Sequence, residues 1–163
     1  MSVEGTLASL QQLKSNLKRF TEQALIEAGF DVLQDVQDRI QNKGLKADGS
    51  RLRSYSKYYE RFKKNPGGTE RGKKLGLGSS RYTGVVDYTL TSRMWNSIHV
   101  FPVTTSGTEI RVCIGTTDNE SVEKLKRLSE RDSHNPLEPS EEELNRAFSR
   151  LPAMIADVID RNR

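Results

Sequence analysis

Few side chains in this sequence have the type and spacing that covalent or metal chemistry needs. Cys113 is the single cysteine, and a thiol becomes an effective nucleophile only beside a base. His99 could face it across a hairpin, because both residues fall in runs that alternate like strands. No third residue is placed to orient that imidazole, however, and nothing nearby supplies an oxyanion site. His134 stands in a polar loop without ligand-like company. Glu141, Glu142 and Glu143 read better as first-turn acids at the positive end of a helix than as metal ligands. With one cysteine there is neither an internal disulfide nor a zinc pair. Residues Gly72 to Gly78 carry the glycines and lysines of a phosphate loop, but not its G-x-x-x-x-G-K-[ST] order or its strand-to-helix setting. The expectation is a protein that is not an enzyme, with no catalytic residue, metal or cofactor.

The feature that does stand out is charge. Residues 43 to 81 hold twelve Lys and Arg against three acids, while the rest of the chain holds fourteen basic and nineteen acidic residues. A mildly acidic body thus carries a basic insert. Arg51, Arg53, Lys57, Lys63, Lys64, Arg71, Lys73, Lys74 and Arg81 are the candidate contacts to DNA phosphates or to an acidic protein surface, and a solvated loop is the third option. Within the insert Tyr55, Tyr59 and Phe62 recur at i, i+4 and i+7. That spacing shares one helix face, which could stack on bases or tack a short helix onto the body.

Around these residues the pattern predicts an α+β domain spanning 1–163. Leu7, Leu10, Leu13, Leu17, Phe20, Ala24, Ala28, Val32, Val36 and Ile40 form one stripe at helical spacing, so a long N-terminal helix is expected, ending near Asn42 to Gly44. Thr6 could cap its start, and Gly29 marks a bend or a close contact. Residues 43–84, rich in glycine and broken by Pro66, read as an extended basic arm or loop inserted between that helix and a hairpin. Thr91 could cap a short helix presenting Met94 and Trp95. Then Ile98 and Val100, and Ile110, Val112 and Ile114, alternate as two antiparallel strands with one buried face. Asp118 or Asn119 opens a helix with Val122, Leu125 and Leu128 inward. Ser140 and Glu143 make a capping box before a last helix that Pro152 should kink or divide.

A hydrophobic share of 34% against 29% charged residues makes a thin core, and a helix this long cannot be covered by the remainder alone. Association with further copies is therefore expected. The sequence lacks a secretory leader pattern and any apolar run near the roughly 18 residues of a membrane span, so no membrane contact is expected and synthesis in the cytoplasm is.

Three blocks resemble the virion-morphogenesis family of tailed phages, which includes neck, head–tail joining and tail-completion proteins. The first is KGLKADGSRLRSYSKYYERFK, matching at Gly44, Asp48, Gly49, Tyr55, Ser56 and Tyr59. The second is VVDYTLTSRMWNSIHV, matching at Leu90, Thr91, Met94, Ser97 and Ile98. The third is NRAFSRLPAMIADVI, matching at Arg146 and Phe148, with Ala147 where the family usually has proline. The resemblance implies a structural subunit of a ring around the DNA channel, without cofactor or catalytic residues. Its implied partners are further copies in a six- or twelve-fold ring, an adjacent connector or portal-side ring or the tail tube, and genomic DNA in the channel. Its implied location is the neck or tail of the virion, reached from the host cytoplasm during assembly. Tyr55, Tyr59, Phe62, Met94, Trp95 and Phe148 are then candidates for subunit packing or docking.

Overall fold

The computed structural model describes residues 3–161 apart from 79, 81, 83, 89–91 and 105–109, and leaves the side chains of 3–10, 13 and 102–104 undescribed. It is α+β, as the sequence pattern requires. Helix α1 runs unbroken over Val3–Asp38 and closes in a wider π turn over Arg39–Lys43, before Gly44. Ala24, Ala28, Val32, Val36 and Ile40 are buried along its stripe, joined by Leu33. Leu17, on the same stripe, stays 53% exposed. The expected cap at Thr6 and the leucines at 7, 10 and 13 lie outside the described side chains.

Strands β1 (His99–Thr104) and β2 (Ile110–Gly115) pair antiparallel, with Val100 opposite Ile114 and Phe101 opposite Cys113. Ile98 and Val100 are buried, whereas His99, Arg111 and Cys113 face outward, as their alternation dictates. The hairpin lies on α1 at Gly29. A Cβ there would stand 2.7 Å from Val100 Cγ1 and 3.0 Å from Val112 Cγ1, so the bare backbone is what lets helix and sheet meet. Gly29 is therefore a point of close approach.

Short helix α4 (Arg93–Asn96) buries Met94 and Trp95 in the same core. It follows Ser92, which makes no side-chain cap, while Leu90 and Thr91 are outside the described residues. Helix α5 (Asn119–Asp132) is capped by Asp118, whose carboxylate accepts from the Ser121 N–H at 3.0 Å and the Ser121 hydroxyl at 2.6 Å. That cap fixes the helical phase so that Ser121, Leu125, Leu128 and Asp132 turn inward; Val122, expected there, is 44% exposed.

Helix α6 (Glu141–Arg161) packs on α1 and begins with the expected capping box. Ser140 Oγ accepts from the Glu143 N–H at 3.2 Å, and Glu143 accepts from the Ser140 N–H at 2.7 Å. The other Glu143 oxygen takes Arg39 Nε at 2.7 Å in a buried ion pair. Arg39 also donates to two carbonyls, Leu45 at 3.1 Å and Glu138 at 2.7 Å, so each of its three nitrogens has an acceptor. Along the exposed seam Arg146 meets Asp35, Arg150 meets Asp31 and Arg161 meets Glu27. Pro152 does not divide α6: it is exposed, so water can satisfy the carbonyl one turn before it that loses its N–H partner.

Part of the stretch expected to be an extended arm is helical instead. Helix α2 (Lys57–Lys64) is followed by a 3₁₀ turn over Pro66–Gly68 and by helix α3 (Glu70–Lys74). Side chains explain the difference. Ser56 caps α2, Asn65 accepts from the Gly68 N–H and Thr69 from the Gly72 N–H, so each short element starts on its own cap. Gly72 sits against the Pro66 carbonyl, where a Cβ would come within 1.8 Å of the oxygen. Pro66 and Leu77 are buried, which gives the segment a small core.

Candidate functional site: a cationic, tyrosine-lined groove

Two buried carboxylates fasten the basic segment to the body. Asp87 forms an ion pair with Lys63, both almost wholly buried, and accepts from the Tyr55 hydroxyl at 2.8 Å. The same hydroxyl takes the backbone N–H groups of Asp87 at 3.2 Å and Tyr88 at 3.0 Å. Asp132, at the end of α5, accepts from the Tyr88 hydroxyl at 2.6 Å, the Arg53 N–H at 3.1 Å and two Arg131 nitrogens at 3.0 and 2.8 Å. Burial alone would raise the Asp132 carboxyl, but these hydrogen bonds and the Arg131 charge outweigh it and hold it below the usual range. Burial first, and then the neighbouring carboxylates, push the Tyr55 and Tyr88 hydroxyls far above 10, so both remain donors at any ordinary pH.

Above this network lies an open groove of about 600 Å³ between residues 53–59 and α5. Arg53, Lys124 and Arg131 line it together with Tyr55, Tyr59 and Tyr88, and among the described residues no Asp or Glu does. Tyr55 and Tyr59 meet edge to face with centroids 5.0 Å apart, and Arg131 lies over the Tyr88 ring at 5.2 Å. Lys124 is half-buried and makes no hydrogen bond or ion pair among the described residues. Burial depresses its ammonium below the usual 10.5, Glu120 pulls it up, and Lys63 adds to the lowering.

The nine basic candidates divide. Arg51, Arg53, Lys57, Lys64, Arg71, Lys73 and Lys74 are exposed, and Arg81 lies outside the described residues. Lys63 is corrected: it is 0% exposed and its charge is spent on Asp87, so it cannot reach a partner. Lys64 pairs with Glu60 and sits over the Tyr82 ring, and Arg71 over the Phe62 ring. Among the packing candidates Phe62, Met94 and Trp95 are also corrected. They fill this chain's own core at 6%, 2% and 4% exposure, which leaves them no surface to offer a neighbour. Phe148 is 59% exposed, while Tyr55 and Tyr59 are half-buried in the groove wall.

Lys124, Arg131, Asp87, Asp132 and Tyr88 escaped the sequence reading. One signal for them existed: Lys124, Leu128 and Arg131 stand at i, i+4 and i+7, the same spacing as Tyr55, Tyr59 and Phe62. Among the described residues, no group of three His, Cys, Asp or Glu is arranged to hold a metal ion, and no helix is long and apolar enough to cross a membrane. Comparison of the chain with protein-family models, curated proteins and solved structures returned no match.

Proposed function

We propose that the chain is a structural subunit of a ring in the neck, head–tail connector or tail-completion region of a tailed phage, and that it joins head to tail around the DNA channel. The carrying observation is apolar surface that this chain leaves uncovered. Leu17 on α1 is 53% exposed, Phe30 51% and Phe148 59%, in a protein with little hydrophobic material to spare. Phe148 borders an apolar groove of about 380 Å³ between α1, β2 and α6, also lined by Leu25, Gly29, Val112 and Ile114. Both strands of the two-stranded sheet can accept a further strand from a neighbour. The three sequence blocks of the virion-morphogenesis type supply the class of assembly. A head-to-tail contact that closes on itself would cover such surface in every copy.

Light scattering on the purified protein, alone and mixed with the products of neighbouring genes, tests this reading. A closed species of six or twelve copies is expected in at least one condition. A strict monomer in all of them, at concentrations up to about 100 µM (around −5.5 kcal/mol), refutes it.

A second reading, a nucleic-acid-binding module, is favoured by one observation. Tyr58 is 81% exposed on α2 between Lys57 and Arg61, an aromatic ring among cations. Binding to a random duplex should then weaken steeply with salt. No detectable binding at low salt removes it.

A further inference from the structure

We infer that the groove between residues 53–59 and α5 is a docking site for an acidic protein segment, whose carboxylate meets Lys124, Arg53 and Arg131 while an adjoining apolar side chain rests on Leu128 and the tyrosine rings. The assignment rests on the assembly reading above and gives the chemistry of one of its partners.

Of the cations at the groove, Arg131 is paired with Asp132, whereas Lys124 and Arg53 make no side-chain ion pair among the described residues. Among the described residues three cations and no acid line the groove, and Asp87 and Asp132 lie behind it, already engaged. Lys124 makes no hydrogen bond or ion pair among the described residues, and Glu120 and Asp87 act on its half-buried ammonium only through space. Arg53 uses its backbone N–H on Asp132 and makes no side-chain hydrogen bond among the described residues. Arg131 binds Asp132 through Nε and Nη2, and its Nη1 makes no hydrogen bond among the described residues. A half-desolvated cation that no carboxylate touches carries a free-energy cost that an anion in direct contact reduces, and that reduction is differential affinity.

The walls then decide which anion. Leu128 and three tyrosine rings form much of the lining, so the occupant has an apolar part beside its charge. A side chain such as Leu or Phe next to Asp or Glu fits that description. A duplex backbone does not, because it presents rows of phosphates to cations on a convex surface. The exposed Lys57, Lys73 and Lys74 suit phosphates better than a recess that holds a single carboxylate.

The test uses the full chain and a fluorescein-labelled nonapeptide with a Glu-Leu-Glu centre in a Gly/Ser context, followed by anisotropy at low salt. Gln-Leu-Gln and Glu-Ser-Glu versions are the controls. Saturable binding of the first peptide is expected, weakened at least tenfold by Lys124→Met and by the Gln peptide, and severalfold by the Ser peptide. Lys124→Arg should retain most of it, and Lys126→Gln, on the outer side of α5, all of it. Lysine 13Cε shifts add a direct readout, because the Lys124 titration should move upward when the peptide binds.

Equal binding of the Glu and Gln peptides, or no effect of Lys124→Met in a protein that Trp95 fluorescence shows to be folded, overturns the inference. So does an oligonucleotide that loses its binding on Lys124→Met while the peptide shows none, since the groove would then read phosphate. A chain that assembles into rings yet ignores the peptide loses this docking site alone. A chain that binds the peptide yet never assembles loses the ring reading and keeps the groove.

Discussion

Neutralising one side of the Lys63–Asp87 pair should cost far more than neutralising both. Lys63 is 0% exposed and Asp87 2%, so neither charge has water to fall back on. In Lys63→Met the carboxylate keeps the Tyr55 hydroxyl at 2.8 Å but loses its counter-charge, and breaking a buried pair from one side costs about 3–5 kcal/mol. Asp87→Asn strands the ammonium at similar cost. In the double variant Lys63→Met/Asp87→Asn no charge remains, and the Asn carbonyl oxygen can still accept from Tyr55. Its cost should be about 1 kcal/mol, the order of one exchanged hydrogen bond. The two single costs therefore exceed the double by at least ~5 kcal/mol. Urea unfolding followed through the buried Trp95 reads this directly. With an m-value of about 2 kcal/mol/M, each single variant should shift the midpoint down by roughly 1.5–2.5 M, and the double by about 0.5 M. Single costs below ~1 kcal/mol, or costs that simply add, would refute the claim that the pair is desolvated and fastens the basic segment to the body.

Other perturbations follow from the same geometry. Gly29→Ala should gain about 1 kcal/mol of helix propensity and lose about 1–3 kcal/mol to the stiff Val100 and Val112 side chains, and Gly29→Leu should unfold the hairpin contact outright; thermal melts of both variants measure the balance. Burial lowers the His134 pKa below 6.5, and its Nε2 accepts the Ala47 N–H at 3.4 Å, so the folded state prefers neutral imidazole. That contribution is complete above pH 6.5 and declines as pH falls through the depressed folded value, so His134→Gln should flatten the stability profile between about pH 7 and 5. The Asp132 carboxyl is also held below its usual 3.8, and its share should vanish only as pH falls further, through its folded value; Asp132→Asn should remove that acid limb of the profile. Glu143→Gln keeps a capping acceptor but strands Arg39, and should cost about 3–5 kcal/mol in a denaturant titration.

Much of the fold was legible because it rests on periodicity. The stripe from Ala24 to Ile40, the alternation at Ile98 to Val100 and Ile110 to Ile114, and the Ser140–Glu143 box each follow from local spacing alone. The helix at 57–64 was foreshadowed by the spacing of Tyr55, Tyr59 and Phe62, but the one at 70–74 was less legible, since the glycines around it signal freedom while what decides is a contact between Gly72 and the Pro66 carbonyl. The groove was hardly legible at all. Its cations come from residue 53 and from α5, more than seventy positions apart, and only the packing around Asp87 and Asp132 brings them together. Lys63 was misread for the same reason: composition counts a charge but does not reveal that a partner twenty-four residues away has claimed it.

The arginine seam between α1 and α6 has a built-in ambiguity. Asp31 and Asp35 are spaced by one helical turn, and so are Arg146 and Arg150, so sliding α6 by a turn would let Arg146 find Asp31 and Arg150 find Glu27. Such exposed rungs contribute only about 0–1 kcal/mol each and cannot tell one alignment from the next. What selects the alignment is Arg39 meeting Glu143, because that pairing exists at a single offset and is sealed from water. The surface contacts behave like evenly spaced teeth, and the buried pair is the pin that stops them from skipping.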